Sequence, residues 1–463
     1  MKTFTVVLAI ALVLVGCTVG PDYRRPPVPT PADFRGALAP AAEGSLGDLP
    51  WWQVFPDETL QALVREALAR NYDVRIAAAR ILEARSQVTI ARSLQFPDVN
   101  AGASASYLRT EGTLSPFQVR ETLQPVGGLD FSFEVDLWGR FRRNSEAARV
   151  ELLGTEYGAR FVVTTLVSDL AAAYIGLRSL DEELQISKRT LDTRLQSLDL
   201  VKLRESGGVA ALIDVHQSEI LVADAAQAVP DIERQIEQTE NVISILLGRP
   251  PAPVPRGRPL GEQVVATSLP AGLPARLLEQ RPDVRQAETQ LASATARIGV
   301  AKADYFPRVF LTGAISAGGL MVNGQTFGPQ GLFAILPSMT FPIFNAGRVT
   351  AGVEGARARA EAAGLQYLQT ILAALQDVSD SLVEYGKRRE ARVQQEVLTV
   401  AARQTTRLAN VRYTGGVSPY LEVLDSERQL FDAELGLVRI HRDELLAIVR
   451  LYKALGGGWQ TAS

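Results

Sequence analysis

Residues 71–99 of this 463-residue chain recur as residues 281–309, an offset of 210. NYDVRIAAARILEARSQVTIARSLQFPDV aligns with RPDVRQAETQLASATARIGVAKADYFPRV, sharing Asp73/Asp283, Val74/Val284, Arg75/Arg285, Phe96/Phe306 and Pro97/Pro307. Later landmarks recur at an offset of 208: Gly139-Arg140 as Gly347-Arg348, Gly207-Gly208-Val209 as Gly415-Gly416-Val417, and Leu247-Gly248 as Leu455-Gly456. A duplication this long commits each half to the same plan and points to pseudo-symmetric assembly rather than a catalytic cleft.

Each half reads as a helix, two strands, a very long helix and a returning helix. Leu60, Leu63, Val64 and Leu68 form one stripe of a helix expected over about 57–95. Phe96 and Phe306 precede prolines, which disfavour helical backbone in the preceding residue, so both helices should stop there. Strands are expected at about 99–108 and 128–137, where Leu129, Phe131, Phe133, Val135 and Leu137 alternate with Asp130, Ser132, Glu134 and Asp136. Their counterparts are about 309–317 and 332–343, with Pro337 and Pro342 as poor ladder residues. Segments of this length, bulky on one face and polar on the other, suit a transmembrane β-barrel, with Asp130, Glu134 and Asp136 turned to the lumen. Four strands do not close a barrel, and open edges are not tolerated in lipid, so several copies must share one wall.

After Gly139-Arg140 no proline occurs before Pro230. The stretch to about Arg204 predicts roughly 95–100 Å of helix at 1.5 Å per residue. Leu170, Leu177, Leu184, Leu191 and Leu198 fall seven apart, the seam of a helix packed along another. The chain turns at Gly207-Gly208 and returns to about Leu247, with an interruption expected at Pro230. Residues 347–455 repeat this hairpin around Gly415-Gly416 and Pro419. The expected division is therefore a first repeat over 57–249, a Pro-rich linker over 250–271, a second repeat over 272–456 and a tail over 457–463.

Composition removes several classes. The net charge is −3, with one cysteine and two histidines, Cys17, His216 and His441, which leaves no clustered metal or redox motif and no nucleic-acid signal. No cofactor and no enzymatic constellation is read, since Gly207-Gly208-Val209 lacks the spacing and lysine of a phosphate loop. Met1-Lys2 followed by the apolar run Phe4–Val15 reads as a signal peptide over 1–16, too short to span a bilayer. Leu14-Val15-Gly16-Cys17 reads as a lipobox in which Cys17 is acylated, and several acyl chains anchor firmly in outer-membrane lipid. Residues 17–56 should then form a lipidated, extended segment, proline-rich over 20–50.

This order of features resembles the TolC-type outer-membrane efflux family, in its lipoprotein branch serving resistance-nodulation-division pumps. The likeness rests on Cys17 to Tyr23 (CTVGPDY), Trp51 to Phe55 (WWQVF), Leu129 to Arg140 (LDFSFEVDLWGR), Pro230 to Gln235 (PDIERQ), Arg412-Tyr413 and Tyr420 to Asp425 (YLEVLD). It implies a fold that is mainly α with a transmembrane β-barrel: a homotrimer whose twelve strands continue into a twelve-helix periplasmic tunnel. It also implies passive export, a periplasmic adaptor and an inner-membrane pump as partners, and no chemical change to the substrate. The competing reading is a structural periplasmic coiled-coil lipoprotein or adaptor, which predicts no barrel.

The same resemblance places a periplasmic gate at the glycine turns. The family's paired gate acids fall on Glu422 and Asp425, three apart and so on one helical face. Six such carboxylates in a trimer would attract cations. Asp214 matches Glu422 in the other repeat, whereas Gln217 replaces the second acid. Arg412 and Tyr413 are expected to latch neighbouring helices, and Ser418 stands where relatives often carry a charge.

Overall fold

The computed structural model describes residues 18–36, 44–111, 119–263 and 271–459. The signal segment 1–16, the lipidation site Cys17 and the end of the tail, residues 460–463, lie outside the described residues. In chain order the helices and strands are α1 Trp51–Val54, α2 Glu58–Arg70, α3 Tyr72–Ser93, β1 Asp98–Glu111, β2 Val119–Val135, α4 Arg140–Ser206 and α5 Leu212–Leu246. They continue as α6 Pro274–Gln280, α7 Pro282–Ala303, β3 Arg308–Val322, β4 Gln325–Thr340, α8 Arg348–Thr414 and α9 Tyr420–Ala454. The chain forms two compact units. One holds the described part of Met1–Pro27 with Arg80–Thr155 and Gln286–Tyr367; the other holds Val28–Ala79, Glu156–Arg285 and Leu368–Ser463.

The first unit is built on one antiparallel sheet ordered β1-β2-β3-β4. The strands are 14, 17, 15 and 16 residues long, longer than the sequence pattern marks. The early part of β2 contains Pro125, Gly127 and Gly128, which blur its alternation; pairing with β1 holds it extended, from Glu111↔Val119 to Asp98↔Ser132. The β3–β4 turn is Asn323-Gly324, both at positive φ, the pairing of residues that a tight hairpin turn requires. β4 ends at Thr340, so Pro342 lies beyond it, whereas Pro337 sits within it opposite Leu311. β4 is an edge strand, where proline is tolerated.

Register puts the bulky residues of both repeats on one face. Val99, Phe131, Gly313 and Ile335 lie in one cross-strand row, and Ala101, Leu129, Ile315 and Phe333 in the next. A Cβ on Gly313 would come within 2.2 Å of the Phe131 ring, so the aromatic fills the space that the glycine leaves. In a single chain this face is bare: Val99 is 63% exposed, Phe333 68% and Met339 69%. The opposite face carries Asn100, Asp130 and Ser132, with Ala314 and Thr312 across from them.

The second unit is helical and holds α5 and α9, of 35 residues each, with the parts of α4 and α8 from Glu156 and Leu368 onward; α4 and α8 have 67 residues each in all, roughly 100 Å. On the leucine seam Leu170 and Leu177 are fully buried and Leu198 is buried. Each complete burial contributes about 1.5–3 kcal/mol.

Two expectations about helix continuity are corrected. The helix expected over 57–95 breaks at Asn71, whose side-chain oxygen accepts from Asp73 N and Val74 N while its amide donates to Leu246 O at 2.9 Å. Arg281 makes the same break between α6 and α7 and donates to Ala454 O at 3.1 Å, the carbonyl 208 residues beyond Leu246. Pro230, in contrast, does not interrupt α5. It and Ala226, whose carbonyl loses its usual donor, are both exposed, so water can satisfy that oxygen.

The linker is tied down by carboxylates: Glu240 accepts from Val254 N at 3.0 Å, Asp181 pairs with Arg256 at 3.1 Å, and Asp57 holds the stretch that follows. Asp57, 1% exposed, caps α2 through Thr59 N and Leu60 N, and also accepts from Arg258 N at 3.0 Å and Gln263 Nε2 at 2.8 Å. Burial opposes its charge, yet these donors together hold its pKa below the usual carboxylate value. Residues 264–270 of the expected linker lie outside the described residues.

Candidate functional site

Both hairpins turn through the same backbone. Gly208 and Gly416 each adopt φ +73°. In the first turn Val209 N donates to Arg204 O and Gly208 N to Glu205 O; in the second, Val417 N donates to Arg412 O and Gly416 N to Tyr413 O. These are paired Schellman closures, which satisfy the last carbonyls of a long helix and need a left-handed residue that glycine supplies at least cost.

Behind the turns lies an apolar cluster containing Leu198, Val201, Val215, Tyr413, Tyr420 and Val423. The Tyr413 and Tyr420 rings pack against each other with centroids 4.9 Å apart and planes tilted by 48°. The Arg204 guanidinium sits 4.4 Å from the Tyr413 ring centre and also donates to Tyr413 O at 3.3 Å. The Tyr420 hydroxyl lies 3.1 Å from Ser218 Oγ. Burial pushes the Tyr413 phenol upward and the Tyr420 phenol up to about 12, so both stay protonated at neutral pH.

Of the expected gate residues, the fold brings Arg412 and Glu422 together, with Arg412 Nε 3.4 Å from Glu422 Oε2. Asp425 lines the same groove but pairs along its own helix, with Arg428 at 2.9 Å and Gln429 at 2.6 Å. Thr405, Leu408, Arg412, Glu422, Asp425 and Gln429 line one open groove between α8 and α9. Tyr413 points the other way, into the cluster, and its hydroxyl has no partner among the described residues. The Ser418 hydroxyl is likewise buried and unpartnered.

Asp214 is placed differently from its counterpart Glu422. It lies in the first turn of α5, and its carboxylate accepts from Ala211 N at 3.2 Å, capping the helix. The equivalent cap residue of α9 is Pro419, which has no N–H to offer, so Glu422 is released toward Arg412.

Below the cluster is a buried polar group that sequence reasoning missed. Arg194, 1% exposed, donates to Leu221 O at 2.6 Å and Asp224 at 3.1 Å and lies 5.0 Å from the Phe431 ring centre. Glu427 is 7% exposed and accepts from Ser197 Oγ at 3.3 Å. Burial raises its pKa against the pull of Ser197 and Arg194. The available signal was an arginine lying between Leu191 and Leu198 of the heptad seam.

On the sheet, Asp130 is exposed on the polar face, and Glu134 on the same face pairs with Arg140 at 2.5 Å. Asp136 is a correction: it stands beyond the end of β2. Its two oxygens accept from Phe141 N at 3.2 Å and Arg142 N at 3.0 Å, capping the start of α4.

Comparison with known proteins supplies the frame. The family model for "Outer membrane efflux protein" matches twice, over residues 63–249 and 273–457, once per repeat. The toluene efflux pump outer membrane protein TtgF of Pseudomonas putida is 34% identical over 474 residues, covering 100% of this chain and 98% of that protein. The cation efflux system protein CusC of Escherichia coli is 32% identical over 455 residues, covering 97% and 98%. The solved outer-membrane channel OprN superposes with a TM-score of 0.88 at 33% identity, covering 96% of this chain and all of that one.

Proposed function

Because this chain belongs to the outer membrane efflux protein family and is an outer-membrane efflux channel, we propose that three copies close one twelve-stranded barrel above a twelve-helix tunnel. The family is one of outer-membrane efflux channels, which decides against the poreless adaptor. The observation that carries the trimer is the sheet itself. Its bulky face is bare in one copy, and neither β1 nor β4 has an outer neighbour among the described residues. Bare apolar strands are stable only against lipid, and lipid tolerates no open edge.

Partners follow from that role: a periplasmic adaptor meeting the glycine turns, and an inner-membrane pump of the resistance-nodulation-division class supplying energy. Cys17 carries the acyl anchor. The chain just after it is strapped to the sheet-bearing unit, with Val19 N on Trp138 O at 3.1 Å and Asp22 paired with Arg143 at 2.6 Å. Substrates are small toxic organic compounds, as the names of the toluene and solvent efflux relatives indicate for those proteins; three methionines and two histidines offer little soft-metal chemistry. The pump, not a wide aqueous duct, makes the selection.

Within the duct, Asp130 and Glu134 face the barrel lumen, while Glu422 and Asp425 ring the periplasmic opening, three copies giving six carboxylates. Arg412 holds Glu422 across α8 and α9. The deciding experiment is conductance of the purified full-length protein in planar bilayers. Discrete channels with cation preference are expected, and replacing both Glu422 and Asp425 with alanine should weaken that preference and block by divalent cations. Absence of conductance would remove the channel reading, and unchanged selectivity would remove these two acids from the gate.

A further inference from the structure

The sheet contains, within one chain, a template for the seam that closes it. Its two hairpins obey the sequence repeat: adding 210 to a β1 residue and 208 to its β2 partner converts Asp98↔Ser132 into Arg308↔Thr340, the pairing observed between β3 and β4. The remaining internal seam joins the second strand of one repeat to the first strand of the next. It is regular over Gly128↔Ser316, Leu129↔Ile315 and Asp130↔Ala314. A ring of alternating repeats needs that seam again wherever β4 meets the β1 of another copy.

We propose that β4 pairs antiparallel with β1 of a neighbouring copy in the register obtained by carrying the β2–β3 seam through the repeat. Leu129↔Ile315 becomes Pro337 opposite Ala105 of the neighbouring copy. By the same step Ser338 stands opposite Ser104, and Leu336 opposite Ser106. The proposal deepens the trimeric barrel reading and rests on it.

The chemistry of both edges fits. The transformed pairs keep faces together, with Ile335 meeting Tyr107 on the bulky side and Ser338 meeting Ser104 on the polar side. A slip of one residue would put each pair on opposite faces, so the competing registers differ by two. Leu336 faces a strand whose polar side is small, Gly102, Ser104 and Ser106. Asn323 N donates to Glu121 O at 2.9 Å, so odd-numbered residues of β2 aim their backbone groups at β3. Under the repeat, odd-numbered residues of β4 aim theirs outward at the neighbouring β1, so Pro329 and Pro337 spare the internal β3–β4 ladder, and the seam runs without a backbone donor at Pro337, opposite Ala105.

Even-numbered positions of β4 then form the closer, non-hydrogen-bonded pairs with the neighbour, about 4.5 Å between Cα atoms, within the range that a disulfide spans. The test uses the full chain in outer membranes with Ser338→Cys and Ser104→Cys together, read on non-reducing gels after mild oxidation. A covalent trimer is expected, with at least about tenfold less cross-linking for Ser338→Cys with Ser106→Cys, whose diagonal spacing is about 7–8 Å. Leu336→Cys with Ser106→Cys is an independent pair in the same register and should also link. Linking of the slipped pair in preference would overturn the register while leaving the shared barrel intact. A trimer by light scattering with none of these pairs linking would also overturn the register. A monomer that links at no pair would remove the trimeric reading as well.

Discussion

The two hairpin tips have one backbone and two chemistries. Both turn at a glycine with φ +73° and close with the same paired hydrogen bonds. In the first tip the acid is consumed, since Asp214 caps its helix through Ala211 N. In the second, Pro419 removes that donor, and Glu422 reaches Arg412 instead. Position 212 in the first tip is a leucine 59% exposed, whereas its counterpart Tyr420 is buried at 3% and packed against the tilted ring of Tyr413. A third pair diverges in the same sense. Glu219 lies beside His216 and Lys202, which lower its pKa, while the equivalent Glu427 is buried and shifted upward. Duplication thus preserved the turn, which needs a special backbone, and left the side chains free to specialise, one tip as a cap and the other as an acid-bearing surface over an aromatic core.

The largest expected break in this comparison is at the aromatic. Tyr420→Ala should cost about 3–5 kcal/mol in the unfolding free energy, as loss of a large buried ring does, whereas Leu212→Ala should cost within about 0.5 kcal/mol as a surface change. Denaturant titration in detergent measures both; equal losses would mean that the first tip is packed as tightly as the second. Next come the glycines. Gly208→Ala and Gly416→Ala should each cost about 1–2 kcal/mol, the left-handed backbone penalty of a residue with a Cβ, and a clear inequality would show that the turns are not equivalent.

A smaller effect separates the acids. Asp214→Ala should lower stability by about 0.5–1 kcal/mol through the lost cap, while Glu422→Ala should leave stability nearly unchanged, since an exposed pair contributes about 0–1 kcal/mol. The two variants should exchange order when ion selectivity is measured. The smallest effect is a pH slope. The raised pKa of Glu427 means that its contribution is fully present below the ordinary glutamate value of 4.5 and is lost as pH rises through the folded value. The lowered pKa of Glu219 has the opposite sign, present above 4.5 and lost as pH falls. Glu427→Gln should therefore flatten the decline of stability above pH 4.5, and Glu219→Gln the decline on the acid side; slopes of like sign would refute the contrast.

Much of the architecture was legible because its causes are local. The hairpins follow from proline-free stretches, the leucine seam and the glycine pairs. The strands follow from alternation, and the true length of β3 and β4 had a cue in Asn323-Gly324, a hairpin dipeptide preceded by Leu320-Met321-Val322. Gate and lumen acids were legible only as candidates. Asp136 belongs to the same alternating run as Asp130 and Glu134, yet the chain leaves the sheet one residue before it and uses it on the next helix. Asn71 and Arg281 look unlike each other in sequence and break their helices at the same place, because each reaches a carbonyl more than 170 residues away.

By itself, then, the sequence determined the repeat, the two long hairpins with their glycine turns and the bulky and polar sides of the clearest strand segment, since these depend on backbone preferences and periodicity among neighbours along the chain. Only the tertiary structure decided which carboxylates are spent on caps, which arginine is buried under the tips, and that β2 lies against β3. The reason is physical: a polar side chain takes whichever partner folding brings within about 3 Å, a nearby backbone N–H for the caps of Asp214 and Asp136 and a carbonyl on another helix for Arg194.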